Sequence, residues 1–331
     1  MRTGPGKTLL TIRNLTHEFA PQGWGRAGTK GSVQALRGVS FDLEESECLA
    51  VVGESGSGKT TLARSLLRLV EPAGGEVLYR GVDVLTMTSD ELLAFRRKAQ
   101  IVFQDPFGSL NPRLRAGSML DEILQVHGDS ASSGVRGERV VELLQLVGLH
   151  PSHAERYPHE FSGGQRQRLG IARALSVEPE FLILDEPVSA LDLSVQAQIL
   201  NLLGDLQERL DLTVILVAHD LAVVRQVADR VAVMYGGKIV EISPVQNLFE
   251  IPAHPYTRGL LEAADPDLAL ARVEGLRELL PVEAPGPLGP LDGCAFYPRC
   301  PHPERDQKCV DKSPELEGMS PGREVACWKE M

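Results

Sequence analysis

The sequence predicts an α/β chain built on a mostly parallel sheet, and three observations carry that expectation. Cys48-Leu49-Ala50-Val51-Val52 is a short apolar run that a glycine-rich stretch interrupts, and Thr61–Leu69 follows with leucines at 62, 66 and 69, a helical spacing. Phe181-Leu182-Ile183-Leu184 is a second continuous apolar run, ending on two carboxylates, as a strand buried on both faces does. Gln196–Leu210 carries Ile199, Leu203, Leu206 and Leu210 on one helical face and leads into a third apolar run, Thr213–Val217. Strands alternating with helices in this way place helices on both faces of one sheet.

The remaining elements follow in order. Residues 8–19 alternate loosely and read as a first strand, and Val39–Leu43 alternates cleanly, as a half-buried strand should. Between them, residues 21–32 are glycine-rich and read as an exposed loop. Val140–Val147 is a helical pattern stopped at Gly148. Beyond about residue 250 the periodicity fades and prolines gather at 281, 285, 287 and 290, which reads as a linker or a small irregular subdomain. No internal repeat is present in the sequence.

Composition sets limits on function. A chain of 331 residues holds one large α/β domain and a smaller appendage. A formal net charge of −11 argues against a surface built for nucleic-acid backbone, which needs clustered Lys and Arg. No apolar run approaches the roughly eighteen residues of a membrane span; the best candidate, Thr213–Val224, is broken by His219-Asp220. The first twenty residues hold no apolar core of a signal peptide. A soluble, cytosolic protein is expected, with any membrane role reached through a partner.

Gly53-Glu54-Ser55-Gly56-Ser57-Gly58-Lys59-Thr60 fits G-x-x-x-x-G-K-[ST] without a mismatch, between a strand and a helix that opens with Thr61. Successive backbone N–H groups and the positive helix end form an anion cradle there. Lys59 is positioned for the β- and γ-phosphates of a nucleoside triphosphate, and the Thr60 hydroxyl for Mg²⁺. Asp185 and Glu186 close their strand at its carboxyl end, where ligands bind in open α/β sheets. Asp185 is assigned to the metal and Glu186 to the attacking water. Ser162-Gly163-Gly164-Gln165 opens a helix over Arg166–Leu175 and is a second anion-binding terminus. It is either an ordinary cap or the completion of a site on another copy.

FSGGQRQR at 161–168, FLILDEP at 181–187, SALD at 189–192 and AHD at 218–220 resemble, in order and spacing, the ATP-binding subunit of ABC transporters, with Phe161 in place of the usual Leu. The resemblance implies a P-loop NTPase fold over 8–255, a helical signature subdomain at about 105–175, and an extension over 256–331. It implies that Ser162, Gly163, Gly164 and Gln165 contact the γ-phosphate on the opposite protomer's phosphate loop, so that ATP joins two identical or homologous subunits head to tail. By the same match Gln104 is the lid glutamine that touches Mg²⁺ and senses the membrane partner. Asp192 matches the residue crossing the dimer interface, and His219 the switch histidine that holds the γ-phosphate and Glu186; a satisfied core histidine is the alternative. Phe19 matches the aromatic that stacks on adenine, with a core Phe the alternative.

Residues 103–113, FQDPFGSLNPR, and 254–261, HPYTRGLL, are similar to the dipeptide/oligopeptide/nickel importer ATPases, and the likeness runs from about Leu9 to Trp328. It implies an ATPase coupled to peptide import, peripheral on the cytoplasmic face of the membrane. The implied partners are two membrane-spanning permease subunits and, indirectly, an extracellular or periplasmic binding protein. Nickel or another small solute is the alternative cargo; a soluble ATPase acting on ribosomes or DNA is the rival class.

Cys48 sits alone in its strand and reads as a small buried apolar residue. Cys294, Cys300, Cys309 and Cys327 crowd the tail with spacing C-x5-C-x8-C-x17-C. Four cysteines in a segment without a core of its own suggest a cross-link that supplies stability. Disulfides are disfavoured in a reducing compartment, and structural zinc prefers close Cys pairs. Four thiolates suit a [4Fe–4S] cluster, the group the resemblance implies; zinc, free thiols and disulfides stay open.

Overall fold

The computed structural model describes residues 7–19, 33–127, 132–189, 191–264 and 292–329. The glycine-rich loop expected at 21–32 and the proline run at 281–290 lie outside these. The chain divides into two compact units, Met1–Thr86 with Val217–Met331, and Met87–Leu216.

In the first unit, β1 (Thr8–Phe19), β2 (Val33–Glu44), β4 (Gly74–Tyr79) and β5 (Val82–Asp83) form a four-stranded antiparallel sheet in the order β2-β1-β4-β5. Register is set by pairs such as Thr11 with Asp42 and Ile12 with Phe41. The buried residues Leu10, Ile12, Val39, Phe41 and Leu43 supply its apolar side. The first two strands expected from alternation are therefore present, but in a sheet of their own.

The strand ahead of the phosphate loop, β3 (Cys48–Val52), is buried at every position. It pairs in parallel with β9 (Arg230–Tyr235), with Ala50 opposite Val231 and Val52 opposite Val233. Burial at all five positions is why its sequence is continuously apolar and not alternating. From β9 the chain turns at Gly236-Gly237, both at positive φ, into β10 (Lys238–Pro244), which runs antiparallel. β12 (Arg323–Val325) pairs antiparallel with β10, and β11 (Glu317–Ser320) with β12. A tail expected to be irregular thus adds a hairpin to a sheet edge, through pairs such as Glu241 with Val325. Cys48 is buried as expected; burial raises its thiol pKa and keeps it protonated.

Helix α1 (Lys59–Leu66) starts after Gly58 and is shorter than leucine spacing suggested. Leu62 and Leu66 are buried, but Leu69 lies past the helix end and is 44% exposed. The backbone reverses at Arg68, at φ 50°, where Leu69 N–H donates to the Arg64 carbonyl, so the spacing continued numerically after the helix had stopped.

In the second unit, β6 (Ala99–Val102), β7 (Phe181–Asp185) and β8 (Thr213–Val217) lie in the order β8-β7-β6, with β6 and β7 parallel. Around them are α2 (Ser89–Lys98), α3 (Pro106–Ser109), α4 (Ala116–His127), α5 (Ser133–Leu146), α6 (Gly163–Leu175) and α7 (Leu193–Leu210). A reciprocal cap fixes the start of α2: Thr88 Oγ1 accepts from Glu91 N–H while the Glu91 carboxylate accepts from Thr88 N–H. Helix α5 begins seven residues before the apolar pattern and stops before Gly148, at φ 71°. On α7 the buried residues are Ile199, Leu200 and Leu206, while Leu210, the expected last core position, is exposed at the final turn.

Leu66→Ala should destabilise the protein by about 2–5 kcal/mol, because it empties a fully buried site. Leu69→Ala should cost under about 0.5 kcal/mol. Urea titrations of both variants check the contrast.

Candidate functional site

The phosphate loop takes its shape from contacts that leave no room for side chains. Gly53 has φ 150°, and a Cβ there would stand 2.2 Å from the Met234 carbonyl oxygen. Gly58 has φ 106°, and its Cβ would stand 2.4 Å from the Ala35 carbonyl oxygen. Inside the loop Ser57 N–H donates to the Glu54 carbonyl at 3.1 Å, and Gly237 N–H donates to the Ser57 carbonyl at 3.0 Å. Lys59 is buried, and its Nζ donates to the carbonyls of Gly53 (2.8 Å) and Glu54 (3.0 Å). Thr60 and Thr61 form the first turn of α1. Such a turn can hold an anion by backbone amides, helix dipole and an ammonium group together.

His219 lies in the same unit. Ala218 N–H donates to the Val51 carbonyl at 3.1 Å, so His219 emerges beside the end of β3, two residues from the loop's first glycine along that strand. It is exposed, which removes the core-histidine alternative. Helix α8 (Leu221–Val227) follows, capped by Asp220 on Ala222 N–H. Phe19 ends β1 and is 46% exposed, its ring 4.5 Å from that of His17 in edge-on contact; it is not a core residue.

In the second unit, Asp185 is buried at the end of β7, and Glu186 follows in the left-handed region at φ 48°. A non-glycine residue there costs on the order of 1–3 kcal/mol and persists where neighbours fix it, typically at functional positions. The Ser189 hydroxyl holds this turn by donating to the Glu186 carbonyl at 3.1 Å. Gln104 Nε2 donates to Glu186 Oε2 at 2.8 Å, joining two residues that lie 82 apart in sequence. The amide thereby orients the carboxylate.

Ser162 caps α6 reciprocally with Gln165: Gln165 N–H donates to Ser162 Oγ (3.3 Å), and Ser162 N–H to Gln165 Oε1 (3.1 Å). Ser162 and Gly163 are exposed, so this helix end is open to solvent. Gly164 is buried against α7, and a Cβ on it would stand 2.3 Å from Val195 Cγ1. Asp192 caps α7, accepting from Val195 N–H (3.0 Å) and the Ser194 hydroxyl (2.7 Å); these bonds lower its pKa.

The tail cysteines are free thiols, and Cys294, Cys300, Cys309 and Cys327 line one small cavity with Phe296 and Trp328. Burial raises the pKa of Cys294 and Cys300 and pushes Cys327 up to about 11. Among the described residues no group of three or more His, Cys, Asp or Glu side chains is placed to hold a metal ion. The assembled four-thiolate ligand set expected from the spacing is therefore not displayed, although its members converge on one cavity. Also among the described residues, no helix is long and apolar enough to cross a membrane.

Comparison with known proteins adds to this geometry. Residues 36–189 match the ABC transporter family, and residues 240–309 match the oligopeptide/dipeptide transporter C-terminal region. Over 322 residues the chain is 45% identical to the oligopeptide transport ATP-binding protein AppF of Bacillus subtilis, covering 97% of each. It is 50% identical over 321 residues to a "Probable peptide ABC transporter ATP-binding protein y4tS" of Sinorhizobium fredii, covering 96% of this chain and 89% of that one. The dimeric structure of the ABC transporter cassette MJ0796 aligns with a TM-score of 0.63 at 30% identity, covering 71% of this chain and 98% of that one. The chain belongs to the oligopeptide and peptide class of ABC transporter ATP-binding proteins.

In this ABC ATPase the sequence reading missed two residues that touch the phosphate loop. Tyr256, in the 254–261 stretch, accepts a hydrogen bond from Glu54 N–H at 2.9 Å. Arg299 grips the Glu54 carboxylate with two parallel bonds, Nη1 to Oε2 at 2.9 Å and Nη2 to Oε1 at 3.0 Å. Tyr256 lies in a stretch whose likeness to importer ATPases assigns it no role, and no periodicity links Glu54 to a residue 245 positions later.

Gly164→Ala should cost about 1–3 kcal/mol by crowding Val195, and adding Val195→Ala should return part of that loss. Melting temperatures of the single and double variants of the ABC ATPase check this.

Proposed function

We propose that this chain is the ATP-hydrolysing, energy-coupling subunit of an ABC importer for dipeptides and oligopeptides. The observation that supports this most directly is the match of 240–309 to the oligopeptide/dipeptide transporter C-terminal region in a chain with an intact phosphate loop. Residues 8–255 are proposed as the ATP-binding domain, with the signature-bearing subdomain at about 105–175, and 256–331 as the extension of this importer type.

ATP is proposed to rest on Gly53–Thr61, with Lys59 leaving its own loop's carbonyls for the β- and γ-phosphates. Magnesium supplies charge neutralisation on those phosphates when bound, and Thr60, Gln104 and Asp185 are the residues proposed to hold it. Glu186 orients the attacking water and takes its proton, and His219 keeps the γ-phosphate and Glu186 in register. Phe19 is proposed for adenine. Ser162–Gln165 and Asp192 are proposed to act across a dimer with an identical or homologous subunit, an arrangement supported by the open N-terminus of α6. Closure and reopening of that dimer would drive two permease subunits from the cytoplasmic face of the membrane, with a peptide-binding protein outside delivering cargo.

The cysteine cavity is proposed to take a [4Fe–4S] cluster, with zinc the alternative. Convergence of four half-buried thiols supports this, and a cationic centre would draw such thiols to the thiolate. Such a group would supply a cross-link between chain segments that lack a core of their own.

Glu186→Gln should bind ATP with near-native affinity while turnover falls by at least about 100-fold, and Lys59→Ala should weaken nucleotide binding itself. Fluorescent-ATP titration and phosphate release check both; near-normal hydrolysis by the glutamine variant would remove Glu186 from its role. Uptake of di- and oligopeptides by cells lacking this chain should fall, and a defect confined to nickel would redirect the assignment. Anaerobically purified protein should contain iron and acid-labile sulfide; a colourless, zinc-loaded protein would refute the cluster.

A further inference from the structure

Glu54 occupies a position that the phosphate-loop motif leaves unspecified, yet all three of its polar groups are held. Its N–H donates to Tyr256 Oη at 2.9 Å, and its carbonyl accepts from Lys59 Nζ at 3.0 Å and from Ser57 N–H at 3.1 Å. Its carboxylate lies in the fork of Arg299. The Arg299 side chain is 8% exposed and that of Glu54 24%, so the pair is mostly withdrawn from water.

Arg299 is itself locked in place. Its guanidinium stands 5.7 Å from the ring centroid of Tyr235 and 6.0 Å from that of Phe296. Tyr235, Tyr256 and Phe296 pack on one another with centroids 4.7–5.5 Å apart. Arg299 ends a single helical turn between two cavity cysteines, fixed by Tyr297 N–H to the Cys294 carbonyl (3.0 Å) and Cys300 N–H to the Tyr297 carbonyl (3.2 Å). The C-terminal extension thus reaches the phosphate loop with a rigid, bidentate cation.

A triphosphate on this loop brings several negative charges close to the Glu54 carboxylate. Left unpaired, that carboxylate would repel the ligand and tug the loop toward solvent; paired, it becomes a fixed anchor. We propose that Arg299 is a positioning residue for ATP, acting through Glu54, and that Tyr256 assists by holding the same residue's N–H. The inference rests on the reading that this loop takes ATP.

The test uses the full-length protein and its Arg299→Ala, Arg299→Lys, Glu54→Gln and Arg299→Ala/Glu54→Gln forms, with ATP as the probe. Arg299→Ala should raise the Kd and KM for ATP about tenfold while kcat changes less than about twofold, and the rise should shrink in high salt. Arg299→Lys should recover part of the loss, since an ammonium restores charge without the fork. Arg299→Ala/Glu54→Gln should recover most of it, because no uncompensated carboxylate remains. An unchanged Kd in Arg299→Ala overturns the proposal. So does a loss that Glu54→Gln leaves intact, which would show that Arg299 only props up the fold; melting temperatures and cysteine titration of each form register that directly. Wild-type protein that is folded yet binds no ATP would refute the functional reading itself, a result separable from any ranking among the variants.

Discussion

The fixed point of the first unit is the crowding of the phosphate loop against two backbone carbonyls. Met234 O and Ala35 O occupy the space that side chains at Gly53 and Gly58 would need. Met234 belongs to β9, the strand paired with β3, and Ala35 to β2 in the separate antiparallel sheet. The loop is therefore cast between two sheets, with no room for a side chain at either glycine. A backbone cradle for an anion must hold a fixed shape, and this packing supplies it.

The second unit uses a different device. Its carboxylate pair stands at the end of a strand buried on every residue, so the apolar run fixes where Asp185 stops being core. Glu186 then takes a left-handed turn that few side chains adopt willingly, tied down by Ser189 and Gln104. Caps shape the helix starts nearby: Ser162 and Gln165 close one, and Asp192 another. The same hydroxyl and amide groups are those proposed to meet a neighbour's nucleotide.

Elements with a strong local signal were legible in the sequence. Continuous apolar runs marked β3, β7 and β8, and the glycine pattern marked the loop between β3 and α1, because burial and positive φ each restrict residue choice at single positions. Ends were less legible. Leucine spacing ran past the true end of α1 to Leu69 and counted Leu210 as core on α7, since periodicity does not register where hydrogen bonding stops. The separate antiparallel sheet was not visible because alternation reports a half-buried strand and not its partner. Arg299 on Glu54 was invisible for a related reason: a contact across 245 residues leaves no trace in local pattern. The tail read as irregular because its described elements are short, and its two strands are recognisable once Glu241 is seen opposite Val325.

The inward curl of Lys59 has one more consequence. By bonding the carbonyls of Gly53 and Glu54, the ammonium ties the start of the loop to the first turn of α1. A phosphate oxygen at the proposed ATP site would meet a charge already held in place, on a loop with little chain left to immobilise. On that proposal, association would spend little conformational entropy.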